Sequence, residues 1–320
     1  MYIKDLMDDW GSYQGSQKRP LDFDQFWKES KLEVDQLGLS YRLERHELYS
    51  NVAEAFDLIF WGVDGAEVHA QFVKPIKVDG KIPMILQFHG YHTNSGDWTD
   101  KIGYAAEGYA SLSLDVRGQG GLSQDNTQTK GGTLKGHIIR GVDEGKENLL
   151  FRKVFQDIYQ LTQIAFSMEF IDTEKIYATG ASQGGAQAIV CAALKPEIKK
   201  VFVCYPFLSD YREAYRLDVN NSAYEEIAYW FRFRDPLHEK EEKLFSVLDY
   251  IDIQYFASLI EAEVIWAMGL EDRVCHPKTQ FATYNQINSQ KELIILPEYG
   301  HEYLPKFGEI IRKKLYEDRG

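Results

Sequence analysis

Cysteine is scarce in this sequence, and no two cysteines lie close together. The three that occur, Cys191, Cys204 and Cys275, are odd in number, and no C-x-x-C pair is found in the 320 residues. A disulfide framework or a structural zinc site needs several cysteines at short, regular spacing. The sequence therefore argues against both kinds of site, and we predict no bound metal.

Long apolar runs and an excess of basic residues are also missing. No apolar stretch approaches the roughly 18 residues that span a bilayer. The N-terminal MYIKDLMDDWGSYQG lacks the basic and apolar segments of a secretory signal. The net charge of −13 disfavours nucleic acid and anionic membranes as partners. These absences predict a cytoplasmic protein that binds neither nucleic acid nor membrane.

Short apolar runs alternate with helical segments over most of the chain. Six runs lack period-two alternation and are predicted as strands buried on both faces of a parallel sheet: residues 82–90, 108–118, 175–180, 201–206, 262–269 and 292–298. Strands that alternate with helices in this way are typical of a doubly wound α/β fold.

The N-terminal part does not follow this alternation. The first forty residues carry a helical pattern, with apolar residues at near-helical spacing: Phe23, Phe26, Trp27, Leu32, Val34 and Leu37. Two strand-like runs, His46–Trp61 and Glu67–Val73, follow on either side of an Asp-Gly pair, which favours a hairpin turn. We predict a helix and a hairpin over residues 1–75, as an N-terminal extension of a single domain that spans 1–320.

Two later segments also interrupt the alternation. Residues 115–142 are rich in Gly, Asp, Asn, Gln and Thr, and long loops of this kind are often functional. Residues 209–257 contain many aromatic residues and predict a helical insertion before the strand at 262–269. The insertion is interpreted either as a lid over a site or as helices that cover the sheet edge.

The stretch KIYATGASQGGAQAIV, residues 175–190, predicts a strand, a glycine-flanked turn and a helix. The turn matches G-x-S-x-G, in which a nucleophilic serine, here Ser182, lies at the apex of a strained turn at a helix N-terminus. It also resembles the T-G-x-x-x-G turn of short-chain dehydrogenases. That alternative is disfavoured because several strands precede the turn, no Y-x-x-x-K motif occurs, and no acidic residue ends the next strand.

A nucleophilic serine needs a base, and the base needs an acid that orients it. Asp272 follows the run at 262–269, and His301 follows the run at 292–298, so that Ser, Asp and His come in the order typical of α/β-hydrolases. Glu271 is a rival acid, which the spacing does not separate from Asp272.

The acyl-transfer chemistry also needs two backbone N–H donors for an oxyanion. One is predicted at Gln183, directly after the nucleophile, and the other at Tyr91, after His89-Gly90 at the end of an early strand. His89 and His92 are alternatively a metal pair, but no third ligand occurs at a suitable spacing.

With these residues in place, the sequence resembles the cephalosporin C deacetylase/acetyl xylan esterase family of α/β-hydrolases. Its R-G-Q, G-x-S-Q-G and H-E signatures are present as Arg117-Gly118-Gln119, Gly180-Ala181-Ser182-Gln183-Gly184 and His301-Glu302. The family's H-G-Y element matches His89-Gly90-Tyr91. Its G-L-x-D element matches Gly269-Leu270-Glu271-Asp272 and selects Asp272 as the acid.

The resemblance implies a cofactor-free serine esterase that removes acetyl groups from small alcohols, including acetylated xylo-oligosaccharides and cephalosporin C. It also implies a homohexamer whose active sites face an inner cavity. Arg117 and Gln119 are interpreted as structural, and Tyr91, Pro206 and Phe207 are predicted to line the substrate pocket. The loop with Gly131-Gly132-Thr133 and the insertion after Asp210 diverge from the family pattern.

Overall fold

A computed structural model describes residues 2–130, 136–217 and 224–319 of the chain. Its nine β-strands form one sheet, with bounds β1 (Tyr41–His46), β2 (Ala53–Trp61), β3 (Glu67–Pro75), β4 (Ile82–Phe88), β5 (Ala110–Leu114), β6 (Ile171–Ala181), β7 (Lys200–Cys204), β8 (Glu263–Gly269) and β9 (Lys291–Leu296). The strand order across the sheet is β1-β2-β3-β5-β4-β6-β7-β8-β9. The strands from β4 onward are mutually parallel, whereas β1, β2 and β3 run antiparallel to their neighbours.

Helices connect the parallel strands and flank the sheet. The α-helices of the described residues are α1 (Tyr2–Trp10), α2 (Phe23–Leu37), α3 (Ile102–Ala106), α4 (Leu150–Ser167), α5 (Gln183–Leu194), α6 (Tyr211–Arg216), α7 (Glu225–Arg234), α8 (Glu241–Leu248), α9 (Pro277–Tyr284) and α10 (Phe307–Glu317). Within these described ranges, no helix combines the length and the apolar character that crossing a membrane requires.

Successive residues of each parallel strand pack into different cores, one on each face of the sheet. In β7, Val201 and Val203 join the core formed with α4 and α5, whereas Phe202 between them joins a smaller core with Phe307 and Leu315 of α10. Strands buried on both faces need apolar residues at every position, which explains why their sequences show no alternation. The prediction of a mostly parallel, doubly wound α/β sheet is confirmed.

The N-terminal strands differ from the prediction in two respects. The run His46–Trp61 is not one strand, because His46 ends β1 and β2 begins at Ala53. Between them the Ser50 hydroxyl accepts hydrogen bonds from the backbone N–H groups of Val52 and Ala53, which closes a turn. The hairpin is also continuous with the main sheet, since β3 pairs with β5.

The predicted Asp-Gly turn connects β2 to β3. Asp64 and Gly65 both have positive φ, +65° and +72°, and the backbone N–H of Gly65 donates to the carbonyl of Gly62 at 3.1 Å, which closes the turn. In α2, Phe23, Phe26, Trp27 and Val34 are buried, as their spacing predicts. Leu32 and Leu37 are exposed, so the buried face of this helix is narrower than the apolar face that the sequence pattern predicts.

The described part of the insertion, 209–217 and 224–257, contains α6, α7 and α8 and lies between β7 and β8. Its aromatic residues are divided between core and surface: Tyr224 and Phe231 are buried, whereas Tyr229 and Phe233 are exposed. The prediction on Gly131-Gly132-Thr133 lies outside the described residues.

His69 of β3 lies buried between two carboxylates. Its Nδ1 is 2.7 Å from Oδ2 of Asp115, and its Nε2 is 2.8 Å from Oδ1 of Asp57. Burial alone would lower the pKa of His69, but the hydrogen bonds to Asp115 and Asp57 raise it overall. Asp115 also accepts hydrogen bonds from the backbone N–H groups of Ser95 and Leu122, so it ties the end of β5 to the loops that follow β4 and β5.

Candidate active site

Ser182 occupies a sharp turn between β6 and α5. Its backbone has φ of +57° and ψ of −120°, a conformation that non-glycine residues rarely adopt. The turn is held from the neighbouring strand, because the N–H of Ser182 donates to the carbonyl of Cys204 and its carbonyl accepts from the N–H of Phe207, both at 3.0 Å. This is the strained strand-to-helix turn that the G-x-S-x-G pattern predicts.

The glycines beside Ser182 allow the turn to pack against the sheet. A Cβ atom at Gly184 would overlap the carbonyl oxygen of Phe88 at the end of β4, and one at Gly180 would overlap the backbone of Gly184. The first turn of α5 therefore lies directly on the end of β4. Any larger side chain at Gly184 would separate the serine turn from the loop that carries Tyr91.

Asp272 and His301 are in hydrogen-bond contact. Nδ1 of His301 lies 2.9 Å from Oδ2 of Asp272, and the Asp272 side chain is fully buried. Oδ1 of Asp272 accepts the backbone N–H groups of Val274 and Cys275, each at 2.8 Å. Glu271, the rival acid, is exposed. The carboxylate that contacts His301 is therefore Asp272.

His301 is held on its other side by an aromatic ring. The ring of Tyr205 lies 4.4 Å from the imidazole, centroid to centroid. The His301 side chain keeps 21% of its surface exposed, so it remains accessible from solvent. Glu302 is exposed, and its carboxylate accepts the backbone N–H of Gly300 at 3.1 Å, which fixes the loop directly before His301.

Two buried thiols, those of Cys204 and Cys275, lie near these residues. Burial and the charge of Asp272 raise the pKa of Cys275 well above its usual value, although a hydrogen bond with Ser182 acts in the opposite direction. Burial likewise raises the pKa of Cys204 to about 12. Both thiols therefore stay protonated at neutral pH, and neither competes with Ser182 as a nucleophile.

The side chains of Gln119 and Gln183 pair with each other. Nε2 of Gln119 donates to Oε1 of Gln183 at 2.7 Å, and the reverse hydrogen bond measures 3.1 Å. Oε1 of Gln119 also accepts the backbone N–H of His92 at 2.9 Å. The two glutamines thus join the start of α5 to the loop after β4. Among the described residues, no acceptor is found for the backbone N–H groups of Tyr91 and Gln183.

His89 has a structural position at the beginning of that loop. Its Nδ1 lies 2.7 Å from the carbonyl of Gly90, and its Nε2 accepts the backbone N–H of Val116 at 3.0 Å. Both ring nitrogens are therefore occupied, which removes the alternative of a metal pair with His92. Over the described ranges, no group of three or more His, Cys, Asp or Glu side chains is placed to hold a metal ion.

The side chain of Tyr91 is anchored by the insertion. Its hydroxyl donates to Oε1 of Glu226 in α7, a contact that no local pattern predicts because 135 residues separate the two. The Tyr91 ring also lies 5.5 Å from the ring of Phe207, which is buried. Pro206 is buried as well, between Tyr205 and Phe207. Tyr91, Pro206 and Phe207 therefore lie near the serine turn.

Arg117 is fully buried and pairs with two carboxylates. Its Nε and Nη2 each lie 2.6 Å from an oxygen of Asp157 in α4, and its Nη1 lies 3.2 Å from Asp64 in the hairpin turn. Gly118 follows with φ of +70°, which turns the chain so that Gln119 reaches Gln183. The R-G-Q segment thus fixes the scaffold on which the site is built.

Comparison with known proteins assigns the chain to a family. The model of the acetyl xylan esterase (AXE1) family matches residues 1–317. The acetyl esterase Axe7A of Xylanibacter ruminicola is 27% identical over 293 residues, which cover 89% of this chain and 64% of that protein. The chain thus spans less than two thirds of the length of this curated relative.

Two solved structures are similar over nearly their whole length. Acetyl xylan esterase 1 from Thermoanaerobacterium sp. JW/SL YS485 is 42% identical with a TM-score of 0.94, and the match covers 99% of this chain and 98% of that one. The acetyl xylan esterase from Paenibacillus sp. R4 is 30% identical with a TM-score of 0.92, and 99% of each chain is covered. The predicted α/β-hydrolase fold is confirmed, and the chain belongs to the acetyl xylan esterase (AXE1) family of carboxylic ester hydrolases.

Proposed function

We propose that the chain is a serine carboxylesterase that removes acetyl groups from small acetylated alcohols. The observation that carries the proposal is the 2.9 Å contact between His301 and the buried Asp272, at the same edge of the sheet as the strained turn of Ser182. Acetylated xylo-oligosaccharides, acetylated sugars and esters like that of cephalosporin C are the proposed substrates. The names of the similar proteins support acetyl ester hydrolysis.

In the proposed mechanism, Asp272 holds His301 in the tautomer with its proton on Nδ1. Nε2 of His301 then takes the proton of Ser182 as Oγ attacks the ester carbonyl carbon. The backbone N–H groups of Tyr91 and Gln183 donate to the resulting oxyanion. His301 returns the proton to the leaving alcohol, and the acetyl group stays on Ser182. A water molecule, deprotonated by His301, then releases acetate and restores the serine. No step requires a metal or cofactor.

Replacement of the nucleophile tests the proposal. Ser182→Ala is expected to fold normally and to lose about three or more decades of kcat on p-nitrophenyl acetate, because no acyl-enzyme can form. Ser246→Ala, which removes an exposed hydroxyl in α8, is the matched control. Retention of most esterase activity by folded Ser182→Ala would exclude the mechanism.

Two alternatives concern the reaction itself. A related hydrolase with another acyl specificity, such as a peptidase or thioesterase, would prefer aminoacyl anilides or thioesters, or would cleave octanoate esters as well as acetate esters. A catalytically silent binding protein would not react with a fluorophosphonate at Ser182. A series of p-nitrophenyl esters, anilides and thioesters, combined with fluorophosphonate labelling, separates these outcomes. The hexamer and the cytoplasmic location stay predictions.

A further inference from the structure

One buried carboxylate joins three segments around the proposed oxyanion hole. Glu226 lies near the start of α7, in the insertion, and only 2% of its surface is exposed. Its Oε1 accepts the hydroxyl of Tyr91, and its Oε2 accepts the backbone N–H of Ile138 at 2.8 Å. The insertion, the loop after β4 and the segment around residue 138 thus meet at a single side chain.

Glu226 is almost fully buried, and among the described residues its oxygens accept hydrogen bonds from two neutral groups, the Tyr91 hydroxyl and the Ile138 backbone N–H. An unpaired carboxylate is expensive to bury unless its oxygens are hydrogen-bonded. Burial raises the pKa of Glu226 to about 7, although the hydrogen bonds from Tyr91 and from the backbone of Ile138 oppose the shift. An apolar side chain could fill this space without the cost of burying a carboxylate. The two hydrogen bonds that Glu226 accepts are therefore the reason to look for a role of this residue.

Tyr91 is held by its ring, by its hydroxyl and through the backbone of the next residue. Its ring lies between Phe207 and His137, at centroid distances of 5.5 and 5.4 Å. The next residue, His92, has φ of +62°, and its N–H is fixed by Gln119. With the hydroxyl anchored on Glu226, the ring packed against Phe207 and His137, and the next N–H bound to Gln119, a displacement of the Tyr91 backbone would break contacts at each of these points.

We propose that Glu226 is a positioning residue, which acts through the hydroxyl of Tyr91 to hold the Tyr91 backbone N–H in the oxyanion hole. The inference rests on the proposed function. It also assigns a role to the insertion, whose helix α7 becomes a fixed support of the site. An oxyanion donor must point at the position of the developing negative charge before the reaction begins. If the donor had to turn during the reaction, most of the transition-state stabilisation would be lost.

Two substitutions remove the link without removing the N–H donor itself. Tyr91→Phe keeps the ring and deletes the hydroxyl. Glu226→Gln keeps the volume, but its single carbonyl oxygen cannot replace both carboxylate oxygens as acceptors. Loss of a whole oxyanion donor costs about 10²–10³ in kcat, so we expect each variant to lose about ten- to thirtyfold through misalignment. KM for acetate esters should stay within about a factor of two, since the N–H acts mainly on the transition state.

The double variant supplies a second readout. If Glu226 acts only through Tyr91, the Tyr91→Phe/Glu226→Gln protein should be no slower than the slower single variant. Tyr159→Phe is the matched control, because Tyr159 also donates its hydroxyl to a carboxylate, Asp35, at 3.1 Å between α4 and α2. The control should lose similar thermal stability and keep kcat.

Three outcomes decide the inference. A lowered kcat with unchanged KM in folded single variants, and no further loss in the double variant, supports positioning. A lowered Tm with unchanged kcat overturns it, since Glu226 would then be structural only. Additive losses in the double variant also overturn it, because Glu226 would act independently of Tyr91. Ser182→Ala, measured in the same assay, is independent: if it stays active, the proposed function itself fails.

Discussion

Asp272→Asn is the substitution whose effect follows most directly from the geometry. Oδ1 of Asp272 accepts two backbone N–H groups at 2.8 Å, and Oδ2 faces Nδ1 of His301 at 2.9 Å. In the variant, the carbonyl oxygen of Asn must face the two N–H groups, because turning the amide over would oppose donors to donors at a cost of about 1–3 kcal/mol for each group left unpaired. The NH₂ group of the variant then faces His301.

A donor opposite Nδ1 changes the tautomer of His301. Nδ1 must now accept a hydrogen bond, so the ring proton moves to Nε2, and Nε2 can no longer take the proton of Ser182. A triad with the wrong tautomer loses about 10⁴ in kcat, which corresponds to about 5.4 kcal/mol of transition-state stabilisation. We expect this loss in steady-state hydrolysis of p-nitrophenyl acetate, with KM little changed.

The control is the neighbouring carboxylate. Glu271 is exposed, so Glu271→Gln should keep the rate within about twofold. Thermal unfolding of both variants verifies that they are folded. A folded Asp272→Asn protein that keeps more than about a tenth of the wild-type kcat would refute the assignment of Asp272 as the orienting acid.

Two further predictions concern stability. Arg117→Met leaves the buried carboxylate of Asp157 without its partner, and urea unfolding should show a loss of about 3–5 kcal/mol; a loss below about 1 kcal/mol would contradict the importance of the pair. The raised pKa of His69 means that its charged form stabilises the fold fully below the unfolded-state pKa of about 6.5, and that this contribution is lost as pH rises through the folded-state pKa. The Tm difference between wild type and His69→Gln should therefore be larger at about pH 5.5 than at about pH 8.5, whereas an equal difference would show that His69 is not charged between Asp115 and Asp57.

Much of the fold could be predicted because its signals are local. Parallel strands with helices on both faces require continuous apolar runs, and such runs can be recognised in the sequence at β4 to β9. The strand β1 escaped prediction, since Tyr41–His46 carries a largely exposed, charged sequence at the sheet edge. Its strand conformation depends on pairing with β2, a partner that no local pattern specifies.

The candidate site, like the fold, could be predicted from the sequence only in part. The order Ser182, Asp272, His301 after successive strands could be predicted, because the carboxyl ends of parallel strands meet at one edge of a sheet. The spacing alone did not separate Asp272 from Glu271, and the family resemblance selected Asp272. The coordinates show that the Asp272 carboxylate contacts His301 and that Glu271 is exposed.

The sequence alone determined the fold class, the family resemblance and the types of residue at the candidate site, because these depend on residue identity and local spacing. The tertiary structure decided which groups touch: Cys275 beside Ser182, Gln119 with Gln183, and Glu226 with the hydroxyl of Tyr91. Each of these contacts joins residues that are 64 to 135 positions apart in the chain. Only the packing of the sheet and the insertion brings them within hydrogen-bond distance, and burial then makes each contact energetically significant.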